Sequence, residues 1–161
     1  MKRVRCFAKW ASISVFLFLV TFLIKGTVSV EAEEVFSYGN YNYTVSGGEA
    51  TIVQYTGTDA SITFPDSING YPVTTLAQRI FQENTTVESV KIPKSIVKCH
   101  TVWDNGIVYG PLSKCESLTE VEFEEGATLI PGGVCKSSNV SSVTIPDTVV
   151  EIGDNAFSGS K

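Results

Sequence analysis

Four short stretches of this chain repeat one another, and a chain built that way is confined to a stacked, repetitive fold. They are Ser61-Ile62-Thr63-Phe64-Pro65-Asp66-Ser67, Val90-Lys91-Ile92-Pro93-Lys94-Ser95, Val121-Glu122-Phe123-Glu124-Glu125-Gly126 and Val143-Thr144-Ile145-Pro146-Asp147-Thr148. Each alternates apolar and polar side chains, as a strand half-buried in a sheet does. Each then stops at Pro or Glu, and Pro has no N–H to donate to a ladder. From Pro65 the stops recur after 28, 31 and 22 residues, at Pro93, Glu124 and Pro146. The unit is therefore about 22 residues long, with insertions in the first two copies. Other apolar positions keep register with the strands. Val87, Leu118 and Val140 each precede them by three residues, and Phe81, Leu112 and Val134 come six residues earlier again. Five residues before these stand Leu76 and Ile107 and Leu129, and Ile152 keeps the same step from Phe157. One such turn cannot bury its apolar side chains alone. Stacking puts Val90, Val121 and Val143 in one ladder, and Ile92, Phe123 and Ile145 in the next. The expected fold is a mostly β solenoid over residues 61–161, about three turns and a partial fourth. Parallel strands form one face, with short helical turns or loops opposite.

The first 32 residues read as something other than fold. Lys2, Arg3, Arg5 and Lys9 precede an uncharged run, Ala11 to Ile24. That run is short of the ~20 residues a membrane helix needs and fits the core of an export signal. Lys25-Gly26 ends it, and Val30 and Ala32 suit cleavage after Ala32. Residues 1–32 are therefore expected to be a signal peptide, and the remainder to be secreted or displayed at the cell surface, with no membrane segment after cleavage. The other 129 residues hold 7 of the 12 basic and 16 of the 17 acidic residues, a net charge of −9. That balance excludes a protein built to neutralise nucleic-acid phosphates.

Residues 33–60 follow a different pattern. Tyr41 to Val45 alternates, Ser46-Gly47-Gly48 turns, and Ala50 to Tyr55 alternates again. This is a β-hairpin by its turn chemistry, placed where a solenoid needs a terminal cap. Asn69-Gly70 and Asp104-Asn105-Gly106 mark turns within the two insertions, the second a small hairpin between Val102-Trp103 and Ile107-Val108-Tyr109. After Phe157-Ser158-Gly159-Ser160-Lys161 no capping segment is evident. An uncapped parallel edge invites pairing, and the expectation is the N-terminal part of a longer protein, or a truncated one.

The stretch Val121 to Ser160 carries a family resemblance. Ile145-Pro146-Asp147-Thr148-Val149, Ile152-Gly153 and Ala156-Phe157, preceded by Leu118, Val121 and Phe123, resemble the BspA-like leucine-rich repeats of bacterial surface and secreted proteins. The resemblance extends over Ile62 to Lys161. Leu112 and Val134 stand where that family usually has Phe. Asn84, Ser137 and Ser160 stand where Cys is common, and Cys115 is kept. The resemblance implies adhesion to host or matrix proteins or to other cells, and an exported solenoid without an active-site constellation is expected to be a non-catalytic, adhesin-like module that binds an extracellular, host or matrix protein. The accessory region of a longer cell-surface enzyme is the alternative.

Residues that carry chemistry are sparse. His100 is the single histidine, and adjacent Cys99 points to the opposite face of a strand, so the two are badly placed as a nucleophile and its base. Glu120, Glu122, Glu124 and Glu125 lie largely on an outward strand face, where polar residues are ordinary. Gly47-Gly48 and Gly132-Gly133 lack a phosphate-loop frame, and Asp104-Asn105-Gly106 lacks the acid series of a calcium loop. Asn42-Tyr43-Thr44, Asn84-Thr85-Thr86 and Asn139-Val140-Ser141 are glycosylation sequons. No catalytic residue, metal site or cofactor is expected. The candidate binding residues are Lys91, Glu122 and Thr144 on the outward face, and the insertion aromatics Trp103 and Tyr109, with Tyr71 a third loop aromatic. Three cysteines follow residue 32. Cys99 and Cys115 bracket the second insertion and are one possible disulfide; Cys115 with Cys135 is the rival pair; three buried thiols are the third possibility.

Overall fold

The computed structural model describes residues 33–161, so the expected signal peptide lies outside the described residues. The described chain begins with three antiparallel strands, Phe36–Tyr38 (β1), Tyr41–Ser46 (β2) and Glu49–Tyr55 (β3). The β2–β3 hairpin turns at Gly47 and Gly48, both at positive φ, +61° and +83°. That is the backbone a two-residue hairpin loop demands and that Gly adopts without strain.

The repeats follow. Ser61–Thr63 (β4) leads into a hairpin of Ser67–Ile68 (β5) and Tyr71–Leu76 (β6), and Ser89–Ile92 (β7) begins the next turn. Lys98–Cys99 (β8) precedes the second insertion, a hairpin of Val102–Asp104 (β9) and Ile107–Tyr109 (β10). Glu120–Phe123 (β11), Leu129–Ile130 (β12), Ser142–Thr144 (β13) and Glu151–Ile152 (β14) complete the chain. Both insertions turn on Asn-Gly, with Asn69, Gly70, Asn105 and Gly106 all at positive φ, as the dipeptide signals.

Strands β4, β7, β11 and β13 form one parallel sheet in spatial order β13-β11-β7-β4. Ile62, Val90, Val121 and Val143 stand abreast in it, and Phe123 pairs with Ile92, as the alternation requires. After each of β7, β11 and β13 the chain makes the same tight turn. Ile96 N–H donates to Pro93 O, Ala127 N–H to Glu124 O, and Val149 N–H to Pro146 O, each at 3.1 Å. Glu124 thus takes the place that Pro holds in the other turns.

The second face is where the expected register needs correction. Leu76 pairs with Cys99, and Ile130 with Ile152. Ile107 and Leu129 are not in those places. Ile107 sits in the β9–β10 hairpin and is 46% exposed, whereas Ile130 is fully buried. The reason is that the insertion follows β8 instead of preceding the ladder position, so Cys99 fills the slot.

The third face is made of turns, and no helix forms among the described residues. Successive turns are tied there by backbone bonds: Tyr55 N–H to Ile80 O (2.9 Å), Ile80 N–H to Pro111 O (3.0 Å), Leu112 N–H to Val134 O (3.3 Å) and Cys135 N–H to Ala156 O (2.8 Å). The turns pack so closely that a Cβ on Gly110 would collide with the Gly133 carbonyl, and one on Gly153 with the Gly132 backbone. One corner is left-handed in three of the turns: Arg79, Gly133 and Asn155 have φ of +53°, +71° and +57°.

The core runs the length of the stack. Phe81, Val87, Leu112, Leu118, Val134 and Val121 are all fully buried. At the capped end it becomes aromatic. Tyr41, Tyr55, Phe64 and Phe81 form a ring of contacts with centroids 5.2–6.1 Å apart, and Tyr41 Oη donates to Thr63 O of β4 at 3.1 Å.

Candidate functional site

The parallel sheet buries every second residue and presents the others outward. Those outward residues form two rows across the four strands. One is Ser61, Ser89, Glu120 and Ser142; the other is Thr63, Lys91, Glu122 and Thr144. The structure therefore brings Lys91, Glu122 and Thr144 together as direct cross-strand neighbours. Lys91 Nζ donates to Glu122 Oε1, and that hydrogen bond and charge hold the ammonium above its ordinary pKa. Both side chains are exposed, at 40% and 48%, so the pair orders the face more than it stabilises the fold. Ser89 Oγ donates to Ser61 Oγ at 2.8 Å in the other row. Glu124 leaves the row by accepting from Lys94 N–H at 3.0 Å.

Trp103 and Tyr109 belong to the β9–β10 hairpin, away from these rows. Trp103 is 70% exposed and pairs with Val108. Tyr109 is half-buried on the opposite face. The Arg79 guanidinium lies 4.3 Å from its ring centre and the Lys114 ammonium 4.5 Å. Arg79 also donates to Asp104 of β9 at 2.7 Å. Tyr109 therefore anchors the hairpin through cation–π contact, and Trp103 is the aromatic left facing solvent. Tyr71 is 40% exposed.

Arg79 is the residue the sequence does not announce. Its left-handed φ is strained for a long side chain, and its Nε is buried without a partner. It occupies a corner that the later turns fill with Gly133 and Asn155. The only sequence signal is that departure from the corner's small residues.

The three thiols are free. No bridge joins Cys99 to Cys115 or Cys115 to Cys135. Cys115 is buried, with Sγ donating to Asn84 O and Val87 O at 3.5 Å. Cys99 is packed in the Leu76 ladder, and the cysteine whose charge it feels is Cys135. Desolvation raises all three, Cys135 up to about 12. A raised thiol holds little thiolate, which is the opposite of an activated nucleophile. His100 is exposed beside half-buried Cys99. Among the described residues no three His, Cys, Asp or Glu side chains converge on a metal position. Of the sequons, Asn84 uses its whole amide internally: Oδ1 accepts from Thr86 N–H and Val87 N–H, and Nδ2 donates to Gly57 O.

Comparison with known proteins adds to this geometry. A structure of a leucine-rich cell surface protein from Faecalibacterium prausnitzii A2-165 superposes with a TM-score of 0.46 at 20% identity, covering 81% of this chain and 47% of that one. A leucine-rich repeat protein of T. pallidum gives 0.44 at 20% identity, covering 78% of this chain and 67% of that one. The chain thus spans about half the length of the first of these structures. A search of curated proteins returns no match. The model of the BspA type leucine-rich repeat region matches in six copies over residues 55–161, and the chain belongs to that family.

Proposed function

We propose that this protein is a secreted or cell-surface, non-catalytic binding module that engages another protein in an adhesin-like manner. The observation that carries the reading is the outward face of the four-stranded sheet, with its rows of aligned polar side chains on a rigid stack. Solenoids present such extended faces to partners. The partner is an extracellular protein, a host or matrix protein in the reading favoured here, and the contact centres on Lys91, Glu122 and Thr144. Trp103 supplies a second contact, since an exposed Trp is an effective anchor once a partner covers it. The raised thiols and the lone exposed His100 support a non-catalytic role.

The test is binding of the purified protein to a panel of matrix and cell-surface proteins by biolayer interferometry. The expected result is saturable binding to at least one of them, weakened about tenfold or more by Lys91→Ala with Glu122→Ala. Binding that is unchanged in that double variant and in Trp103→Ala, or absent across the panel, overturns the reading.

A further inference from the structure

The sheet of β1, β2, β3, β6 and β8 has a second face that the protein-binding reading does not use. Its core face is the row Tyr43, Ile52, Leu76 and Cys99. Its other face carries the row Thr44, Thr51, Thr75 and Lys98, again direct neighbours across four strands. Two irregularities make this row. Between Asn42 and Tyr43 the register skips Val53, and between Ala50 and Thr51 it skips Thr74. Without the second skip Thr74 would stand opposite Thr51. Such bulges re-aim side chains, and they concentrate where a surface has work to do.

The sheet is mixed, antiparallel at β2–β3 and parallel at β3–β6 and β6–β8, and no strand or helix covers this face among the described residues, so its outward positions are expected to meet water. Here Thr44 is 4% exposed and Thr75 5% exposed. They sit in the floor of a cleft of about 480 Å³ whose lining also includes Thr51, Lys98 and His100. A second cleft of about 480 Å³ adjoins it, lined by Asn42, Gln54 and Gln82. The two share Val53, the skipped residue, and Gln78. Together they make one elongated trough with a hydroxyl floor at one end and side-chain amides at the other.

The chemistry of the lining narrows the ligand. Lys98 faces Glu49 at 3.9 Å, and Arg79 is bound to Asp104. Each cation already has a carboxylate beside it, and Glu33 and Glu83 add negative charge, so the lining as a whole does not favour an anion. No deep apolar pocket offers the anchor that a protein hot spot needs. Amides and hydroxyls each donate and accept, which matches sugar hydroxyls. Strands lie about 4.8 Å apart, so the threonines repeat at even intervals, and Val53 and Val102 offer small apolar patches for the C–H faces of sugar rings. We propose that this trough binds a neutral glycan chain laid across β2, β3, β6 and β8. The site is separate from the outward face of the parallel sheet.

The test titrates the purified protein with cello-, xylo-, manno-, malto- and chitohexaose, read by saturation-transfer NMR and calorimetry. The expected result is saturable binding of at least one, with a dissociation constant on the order of millimolar and no weakening when salt is raised. Thr51→Val with Thr75→Val is expected to weaken it about tenfold or more. Gln78→Ala, at an exposed position that leaves the fold intact, is expected to weaken it about threefold or more. Lys91→Ala with Glu122→Ala is expected to leave it unchanged. No saturable binding of any hexaose up to about 20 mM, strong salt sensitivity, or indifference to Gln78→Ala overturns the proposal. So does loss of a protein ligand, with no sugar bound, in the trough variants, which would assign the trough to a peptide.

Discussion

The two ends of the stack are built from the same repeat and meet water very differently. At the capped end Ile62 is 7% exposed, Phe64 1% and Leu76 fully buried. At the far end of the same ladders Val143 is half-buried, Ile145 is 39% exposed and Ile152 54%. The side chains are alike; what differs is whether a neighbour lies on both sides. The hairpin supplies that neighbour for β4 by placing Tyr41 and Tyr55 over it. Burial in a repeat protein is thus a property of position in the stack more than of residue type.

Substitutions can break or sharpen this comparison. The largest expected effect is Phe64→Ala, which opens a cavity in the aromatic cluster and costs about 4 kcal/mol by urea denaturation. Ile145→Ala, its counterpart in the last turn, is expected to cost about 1 kcal/mol or less. Equal costs at the two sites would remove the distinction between the ends. Gly110→Ala comes next, at about 3 kcal/mol, because its new methyl meets the Gly133 carbonyl between two fixed turns. A melting temperature unchanged by it would mean that the Gly110 and Gly133 turns can move apart at little cost.

The pH dependence follows from the buried thiols and from Tyr41, whose pKa burial raises from 10.0 to about 12. Cys135 rises from 9.0 to about 12 for the same reason. A group raised in the folded state binds its proton more tightly there than in the unfolded chain. Its contribution is complete below the unfolded pKa and is lost as pH climbs towards the folded one. Stability is therefore expected to fall between about pH 9 and 12, and Cys135→Ser to flatten the first part of that fall. A flat alkaline profile would contradict it. The smallest effect is local: amide exchange in β13 and β14 is expected to be faster than in β4 and β7, with no change in global stability.

The parallel sheet was legible from residue spacing, because Val90, Val121 and Val143 sit in strands long enough to alternate. The Asn-Gly hairpins were legible for a local reason, the turn backbone that the dipeptide adopts. The second face was less so. β8, β12 and β14 are two residues each, too short to show a period, so Ile107 and Leu129 stood in for Cys99 and Ile130. The outward row Lys91, Glu122 and Thr144 could be aligned in advance, since parallel register is fixed by the stops at Pro93, Glu124 and Pro146. The threonine row could not. It depends on two skipped residues in strand pairing, and no local pattern in Thr51 or Thr74-Thr75 marks where a ladder slips.

The aromatic cluster at the capped end also has a bearing on time. A polypeptide is delivered N-terminus first, so Tyr41, Tyr55, Phe64 and Phe81 are all present before Val121 or Val143 exists as chain. The first sheet edge is then finished before its neighbours arrive. Each later turn then has a finished edge to dock on, and an N-terminal cap lets the order of assembly follow the order in which the chain is delivered.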